Sequence, residues 1–227
     1  MNAWPLSLSG VRLDALAAGA LWWADRRLLA VADLHLGRSD RFARAGGALL
    51  PPYETAETLD RLAAVIDALR PATVVCTGDS FDDDAAAAAA ASPAFDPLTR
   101  LMAGRHWIWI AGNHDPAPVM LGGEWRRELR LGPLTFRHSA DPAAAGEVSG
   151  HYHPRAVVAG RSHRCFVADS RRIILPAFGA YTGGLDCRDG AIRSLMGGDA
   201  LAILTGQSAR AVPLAAQIRP RAAAAST

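Results

Sequence analysis

The chain has 227 residues, half of them hydrophobic and a fifth charged, a balance that suits a soluble α/β protein with a sizeable core. Its net charge of +2 is too small to mark a nucleic-acid binder by itself, and no uncharged apolar run approaches the ~20 residues a spanning helix needs. All 24 basic residues are arginine, and three scattered cysteines without a CxxC pair argue against a disulfide framework or a cysteine-ligated zinc site.

Residues 1–10 lack a basic segment followed by an apolar one, so a cytoplasmic chain is expected. Residues 1–219 read as a single domain, and the Ala-rich residues 220–227 as a disordered tail. Residues 20–23 and 28–32 predict a hairpin around Ala24-Asp25-Arg26-Arg27. Its second strand runs into Asp33-Leu34-His35, where alternation along an extended chain puts Asp33 and His35 on one face. Arg38, Arg41 and Arg44 follow at three-residue spacing; as a helix they form either a basic stripe beside that site or a solvated face. Gly46-Gly47 and Pro51-Pro52 mark a loop.

Residues 55–69 predict an amphipathic helix with Leu59, Leu62, Val65, Ile66 and Leu69 on one side, Thr55 as N-cap and Pro71 past its end. Residues 73–77 form a β-branched strand that ends in Gly78-Asp79-Ser80-Phe81-Asp82. Asp83, Asp84 and the alanines after them read as a surface loop entering or forming a helix, and residues 97–103 complete another. The apolar run 107–111 is a strand ending in Gly112-Asn113-His114-Asp115; of Trp107 and Trp109, one is expected in the core and the other under a helix.

Pro116 and Pro118 break regular structure. Residues 129–131 and 134–138 predict a hairpin ending in His138, and residues 147–150 lead into His151-Tyr152-His153-Pro154, again with two imidazoles on one side of an extended segment. Residues 165–168 and 173–175 alternate as strands, and residues 201–204 with Val212 could add edge strands. His106 reads as an exposed helix-end residue and His163 as part of an Arg-flanked loop.

Each polar motif alone fits a capped turn. Their joint occurrence at five successive strand ends does not, because in open α/β sheets the loops at the carboxyl ends gather into one ligand site. Mixed imidazole and carboxylate groups suit Mn, Fe, Zn or Co better than Ca or Mg. Seven such groups exceed the needs of one four-coordinate ion, whereas two ions about 3.5–4 Å apart sharing a carboxylate would use them all.

The order D-x-H, G-D-x-x-D, G-N-H-D, a later His and G-H-x-H resembles the binuclear, calcineurin-like metallophosphoesterases. The motifs stand here as Asp33-Leu34-His35, Gly78-Asp79-Ser80-Phe81-Asp82, Gly112-Asn113-His114-Asp115, His138 and Gly150-His151-Tyr152-His153. The resemblance implies an α/β fold, a four-layer α-β-β-α sandwich of two mixed β-sheets flanked by helices. It implies one metal on Asp33, His35, Asp79 and His153, and a second on Asp79, Asn113, His138 and His151. A metal-bridging hydroxide would attack phosphorus, with His114 serving the leaving oxygen and Asp115 fixing the tautomer of His114.

A narrower resemblance spans residues 21–184 and rests on Val31-Ala32-Asp33-Leu34-His35-Leu36-Gly37, Arg137-His138, Gly150 to Pro154 and the run Leu175 to Gly184. These look like the bacterial ligase-associated metallophosphoesterases, DNA-damage-response endonucleases encoded beside a DNA ligase and a Lhr-type helicase. That likeness implies cleavage of single-stranded DNA with Mn2+, where Fe, Zn or Co are alternatives. Arg38, Arg41, Arg44 and Arg155 are the expected phosphate contacts, and Phe42 or Tyr152 could stack on bases. Two positions depart from the group: Arg38 stands for a usual Lys, and Asp82-Asp83 for a His-Ser-like pair. The added negative charge is expected to weaken an incoming phosphodiester or alter metal choice. The alternatives are a small-molecule phosphatase or cyclic-nucleotide phosphodiesterase and, in another class, a non-catalytic scaffold of the same fold.

Overall fold

Short runs of alternating or β-branched side chains build two sheets whose facing sides meet in the middle of the molecule. The computed structural model describes residues 2–46, 53–115, 117 and 121–218. Most of the expected loop around Gly47 and Pro51, the breaks at Pro116 and Pro118, and the Ala-rich tail lie outside the described residues.

The first sheet runs in chain order: β1 (Ala3–Leu8), β2 (Val11–Leu16), β3 (Leu21–Trp23), β4 (Leu28–Val31), β5 (Thr73–Cys76), β6 (His106–Ile110) and β7 (Glu124–Arg126). Its first four strands are antiparallel neighbours, and β4 through β7 are parallel. Between the parallel strands come α1 (Arg38–Arg44), α2 (Glu54–Leu69), α3 (Asp84–Ala88) and α4 (Asp96–Met102). The second sheet holds β8 (Glu128–Leu131), β9 (Leu134–Arg137), β10 (Glu147–Ser149), β11 (Arg155–Val158), β12 (Arg161–Ala168), β13 (Arg172–Ile174), β14 (Leu201–Leu204) and β15 (Arg210–Pro213). It is mixed too, with β10 parallel to both β9 and β13 and the other pairs antiparallel. Two short helices, α5 (Gly190–Arg193) and α6 (Leu214–Ile218), complete the described chain.

The period-two alternation of each strand sorts its side chains into three apolar layers. Leu29 and Val31, Val74 and Cys76, and Trp107 and Trp109 pack under Leu59, Leu62, Val65 and Ile66 of α2 and Leu98 of α4. The intervening Leu28, Ala30, Val75, Ile108 and Ile110 point the other way, onto Phe136, Val148, Phe166, Ile173 and Ile203 of the second sheet. Behind that sheet, Cys165, Val167, Ile174 and Leu204 meet Ile192 and Leu214. Helices, sheet, sheet and short helices thus form the expected four layers, and each fully buried Leu or Ile contributes about 1.5–3 kcal/mol.

Several expectations are corrected. Trp107 and Trp109 lie two residues apart, so they share one face and both pack under the helices, ring centroids 5.5 Å apart. Thr55 does not cap α2; it sits in the first turn, where its hydroxyl accepts the Gly37 N–H at 2.9 Å and donates to Glu54 at 2.7 Å. His106 begins β6 beside Glu124, and His163 lies within β12. Cys165 and Cys187, 22 positions apart, lie with sulfur atoms 3.4 Å apart as free thiols, which does not alter the reading that the chain has no disulfide framework. The β1–β2 hairpin, β7 and β11 are additions to the strands expected from the sequence. Among the described residues no helix is long and apolar enough to cross a membrane.

What positions the site is register. Val31 pairs with Cys76, and Cys76 with Trp109, so β4, β5 and β6 end on one edge of the sheet. The loops carrying Asp33, Asp79 and Asn113 leave from that edge together, as parallel crossover topology requires.

Candidate metal centre and active site

The ligand candidates do converge, but not by strand alternation. β4 has ended at Val31, and Asp33 (φ 53°) and His35 (φ 47°) stand in the left-handed region. So do Asp79 (φ 49°), His151 (φ 72°) and His153 (φ 46°). The left-handed conformation costs an L-residue about 1–2 kcal/mol and persists only where surroundings over-determine it. Here backbone hydrogen bonds between loops supply that constraint. Asp33 donates to the Gly78 carbonyl at 3.1 Å and His35 to the Asp79 carbonyl at 2.9 Å. From the other side, Phe178 donates to Ala32 at 2.8 Å and Gly179 to Asp33 at 3.1 Å.

Two groups of donor atoms result. In one, His153 Nε2 lies 3.4 Å from Asp33 Oδ1 and 3.3 Å from His35 Nε2. In the other, His138 Nε2 lies 2.9 Å from Asn113 Oδ1, 3.1 Å from His151 Nδ1 and 3.4 Å from Asp79 Oδ2. Asp79 Oδ2 is also 4.0 Å from His35 Nε2, which makes Asp79 the residue that touches both groups. A tetrahedral ion with bonds of about 2.1 Å spreads its ligands about 3.4 Å apart, close to these spacings. Ring nitrogens that face each other need a cation or a proton between them. The donor set therefore fits two divalent transition-metal ions.

The tautomers agree. His138 Nδ1 donates to the Thr77 carbonyl at 3.0 Å, which leaves Nε2 for the site. Gly78 is required beside it: at φ 89° a β-carbon would be strained and would collide with the His138 ring.

His114 sits against this assembly, its ring edge-to-face with His35 at a centroid distance of 5.1 Å. Its Nδ1 lies 2.8 Å from the Asp82 carbonyl oxygen, the acceptor that sets its tautomer. Asp115 therefore has a different job from the one the resemblance implied. Its Oδ1 accepts from the backbone of Asp79 at 2.9 Å and Gly112 at 3.1 Å, and its Oδ2 from Ser80 at 2.7 Å and Phe81 at 3.2 Å. Asp115 staples the β5 loop to the β6 loop and so places Asp79. Burial pushes its pKa up to about 6, with the charge of Asp79 adding to the effect and the backbone donors opposing it. A β-carbon on Gly112 would strike Asp79 and Asp115, so this close approach needs glycine.

Three of the four arginines expected at phosphate have carboxylate partners in the fold. Arg38 and Arg44 open and close α1, and Asp82 and Asp83 face them from the β5 loop. Arg38 pairs with Asp82 at 3.0 Å, Arg41 also pairs with Asp82, and Arg44 pairs with Asp83 at 2.6 Å. Phe42 lies under both the Arg38 and Arg41 guanidinium groups, at 5.3 Å and 5.2 Å. Arg155, on β11, bonds Ser162 at 2.8 Å, and Tyr152 packs on His151 with its hydroxyl 3.3 Å from Ser139. Asp82 closes the G-D-x-x-D motif of the broad family and departs from the pattern of the narrower group; the matching departure at Arg38 is the signal in the sequence that the two are partners. Burial opposes ionisation of Asp82, but His35, Arg41 and Arg38 together lower its pKa below the ordinary carboxylate value.

Charge in the centre has a testable consequence. Burial works against a charged His138, yet its contact with Asp79 and the charges of Asp33 and Asp79 raise its pKa to about 9. At pH 7 a proton then occupies the Nε2 position that a metal would take. In the metal-free protein this stabilises the fold below the unfolded-state value near 6.5, and the contribution is lost as pH rises through about 9. Metal binding should release that proton, and apparent affinity should rise about tenfold per pH unit up to about pH 9. Calorimetric titration with Mn2+ in buffers of different ionisation enthalpy reads the release directly; zero release at pH 7 would refute it.

A family model described as calcineurin-like phosphoesterase matches residues 26–178, a span that contains every candidate ligand from Asp33 to His153. The chain is a calcineurin-like phosphoesterase. As a member of that family it is a hydrolase of phosphoester bonds. No curated protein matches this calcineurin-like phosphoesterase. Among solved structures it is similar to the Pseudomonas putida nuclease MPE, at 26% identity and a TM-score of 0.72, over 93% of this chain and 100% of that one.

Proposed function

We propose that this phosphoesterase is a nuclease that hydrolyses phosphodiester bonds of single-stranded DNA with two Mn2+ ions. The observation that carries the reading is the pair of donor groups joined at Asp79 beside His114, in a chain similar along its length to a nuclease. When bound, the two cations would lower the pKa of water toward neutrality and neutralise charge growing on phosphate oxygens. Asp33, His35, Asp79 and His153 would hold one, and Asp79, Asn113, His138 and His151 the other. His114, with Nδ1 committed to the Asp82 carbonyl, would turn Nε2 to the leaving oxygen and protonate it. Arg38 and Arg41 would offer the donors that Asp82 leaves free to a phosphate of the strand. A role in DNA repair alongside a DNA ligase and a Lhr-type helicase, in the cytoplasm, belongs to the same proposal.

A small phosphoester as substrate is the second reading, and the pairing of Arg38 and Arg41 with Asp82 favours it, since half of that positive charge is already matched. The manganese-loaded protein should cut single-stranded DNA, with binding that weakens steeply as salt rises. Rapid turnover of phosphomonoesters or cyclic nucleotides, with little salt dependence and no cleavage of DNA, would replace the DNA assignment.

A further inference from the structure

Asp82 is fully buried, and each of its carboxylate oxygens is taken. Oδ1 lies 2.8 Å from His35 Nδ1 and 3.0 Å from Arg38, and Oδ2 pairs with Arg41. Its backbone carbonyl faces His114 Nδ1 at 2.8 Å. The approach is close without a straight hydrogen bond, and a nitrogen lone pair that near a carboxylate oxygen would be repelled, so the proton of His35 belongs on Nδ1. That leaves the Nε2 lone pair facing His153 Nε2 at 3.3 Å. Three donors thus occupy three of the roughly four lone-pair positions of the Asp82 carboxylate.

We propose that Asp82 is a positioning residue, whose carboxylate orients His35 for one metal and anchors α1 through Arg38 and Arg41, while its carbonyl orients His114. The proposal rests on the reading that Asp33, His35 and His153 share an ion. It assigns a task to a residue whose charge would otherwise only oppose an incoming phosphate. One carboxylate faces two guanidinium groups held on one turn of α1, so its charge is more than offset locally. A carboxylate behind a ligating imidazole fixes ring orientation and raises ligand basicity, an effect worth about 10–100-fold in metal affinity.

Asp82→Asn keeps the side-chain shape and the backbone carbonyl but removes the charge. In this variant Mn2+ should bind one site about 10–100-fold more weakly while the other stays at the wild-type value, so a single titration separates into two phases. In the metal-free protein, nitrogen-15 NMR of the imidazoles should show His35 protonated on Nδ1 in the wild type and shifting toward Nε2 in Asp82→Asn. Turnover at saturating Mn2+ should fall less than turnover at limiting Mn2+, because the His114 acceptor is a main-chain atom. Unchanged affinity at both sites with an unchanged His35 tautomer would overturn the proposal, as would an equal loss at both sites accompanied by a lower melting temperature. A wild-type protein that binds no metal would instead defeat the reading on which it rests.

Discussion

Asp79→Asn should cut hydrolysis by about 10³-fold or more and reduce bound metal from two ions to one or none. The size follows from the several kcal/mol of charge stabilisation that a metal pair supplies to a phosphoester transition state. Asp79 is the residue placed against both donor groups, with Oδ2 near His138 and His35 and Oδ1 accepting the His114 N–H at 2.9 Å. Burial opposes its ionisation, but the contacts with His138, the His114 N–H and the charge of His35 hold it well below the usual carboxylate range. Asparagine can still accept the His114 N–H, so the loop keeps its shape and the loss is assigned to charge. Metal content by elemental analysis, read alongside circular dichroism, checks this; two retained ions with full activity would rule out the shared-ligand role. The same variant should also reduce the proton release of metal binding, since His138 loses one of its two anionic partners and keeps Asp33.

His114→Ala should leave both metals bound and lower turnover by about 10²–10⁴-fold, the usual range for a positioned general acid. The loss should depend on the substrate. A diester with a poor leaving alkoxide needs a proton and should suffer most, whereas a p-nitrophenyl ester, whose phenolate leaves unaided, should suffer least. His114 contributes its backbone N–H to Asp79 and its ring to the space beside His35, and alanine preserves the first contact. Equal losses on both substrates would remove the leaving-group role.

The strong periodic elements were readable in the chain. Residues 55–69 became α2, within one residue, because a 3.6-residue apolar stripe has one stable use beside a sheet. The hairpins at residues 21–31 and 128–137 followed from alternating apolar residues around polar turns. The first hairpin was unread although Ser9-Gly10 joins two alternating runs, and β7 was missed because three residues carry almost no periodic signal. Thr55 illustrates a general limit: a hydroxyl before an apolar stripe signals a cap, but Gly37, 18 positions upstream, takes it instead.

The sequence by itself determined which residues meet. Parallel strands joined by helical crossovers must end on one edge, so polar groups placed just after apolar runs are brought to one place whatever the details. Asp33, His35, Asp79, Asn113 and His114 follow from that rule, whereas His138, His151 and His153 come from the second sheet, where β9 and β10 are joined by a loop, and were marked by their motifs. The tertiary structure alone decided how they meet. Left-handed backbone at Asp33, His35, Asp79, His151 and His153 is held by hydrogen bonds between loops far apart in sequence, and no local pattern encodes it. The same holds for partners: Asp115 bonds backbone groups about 35 positions away rather than its neighbour His114, and Asp82 reaches back across more than 40 positions to His35, Arg38 and Arg41. A carboxylate's role depends on which donors surround it once water is excluded, and that is a property of the folded loops rather than of the motif.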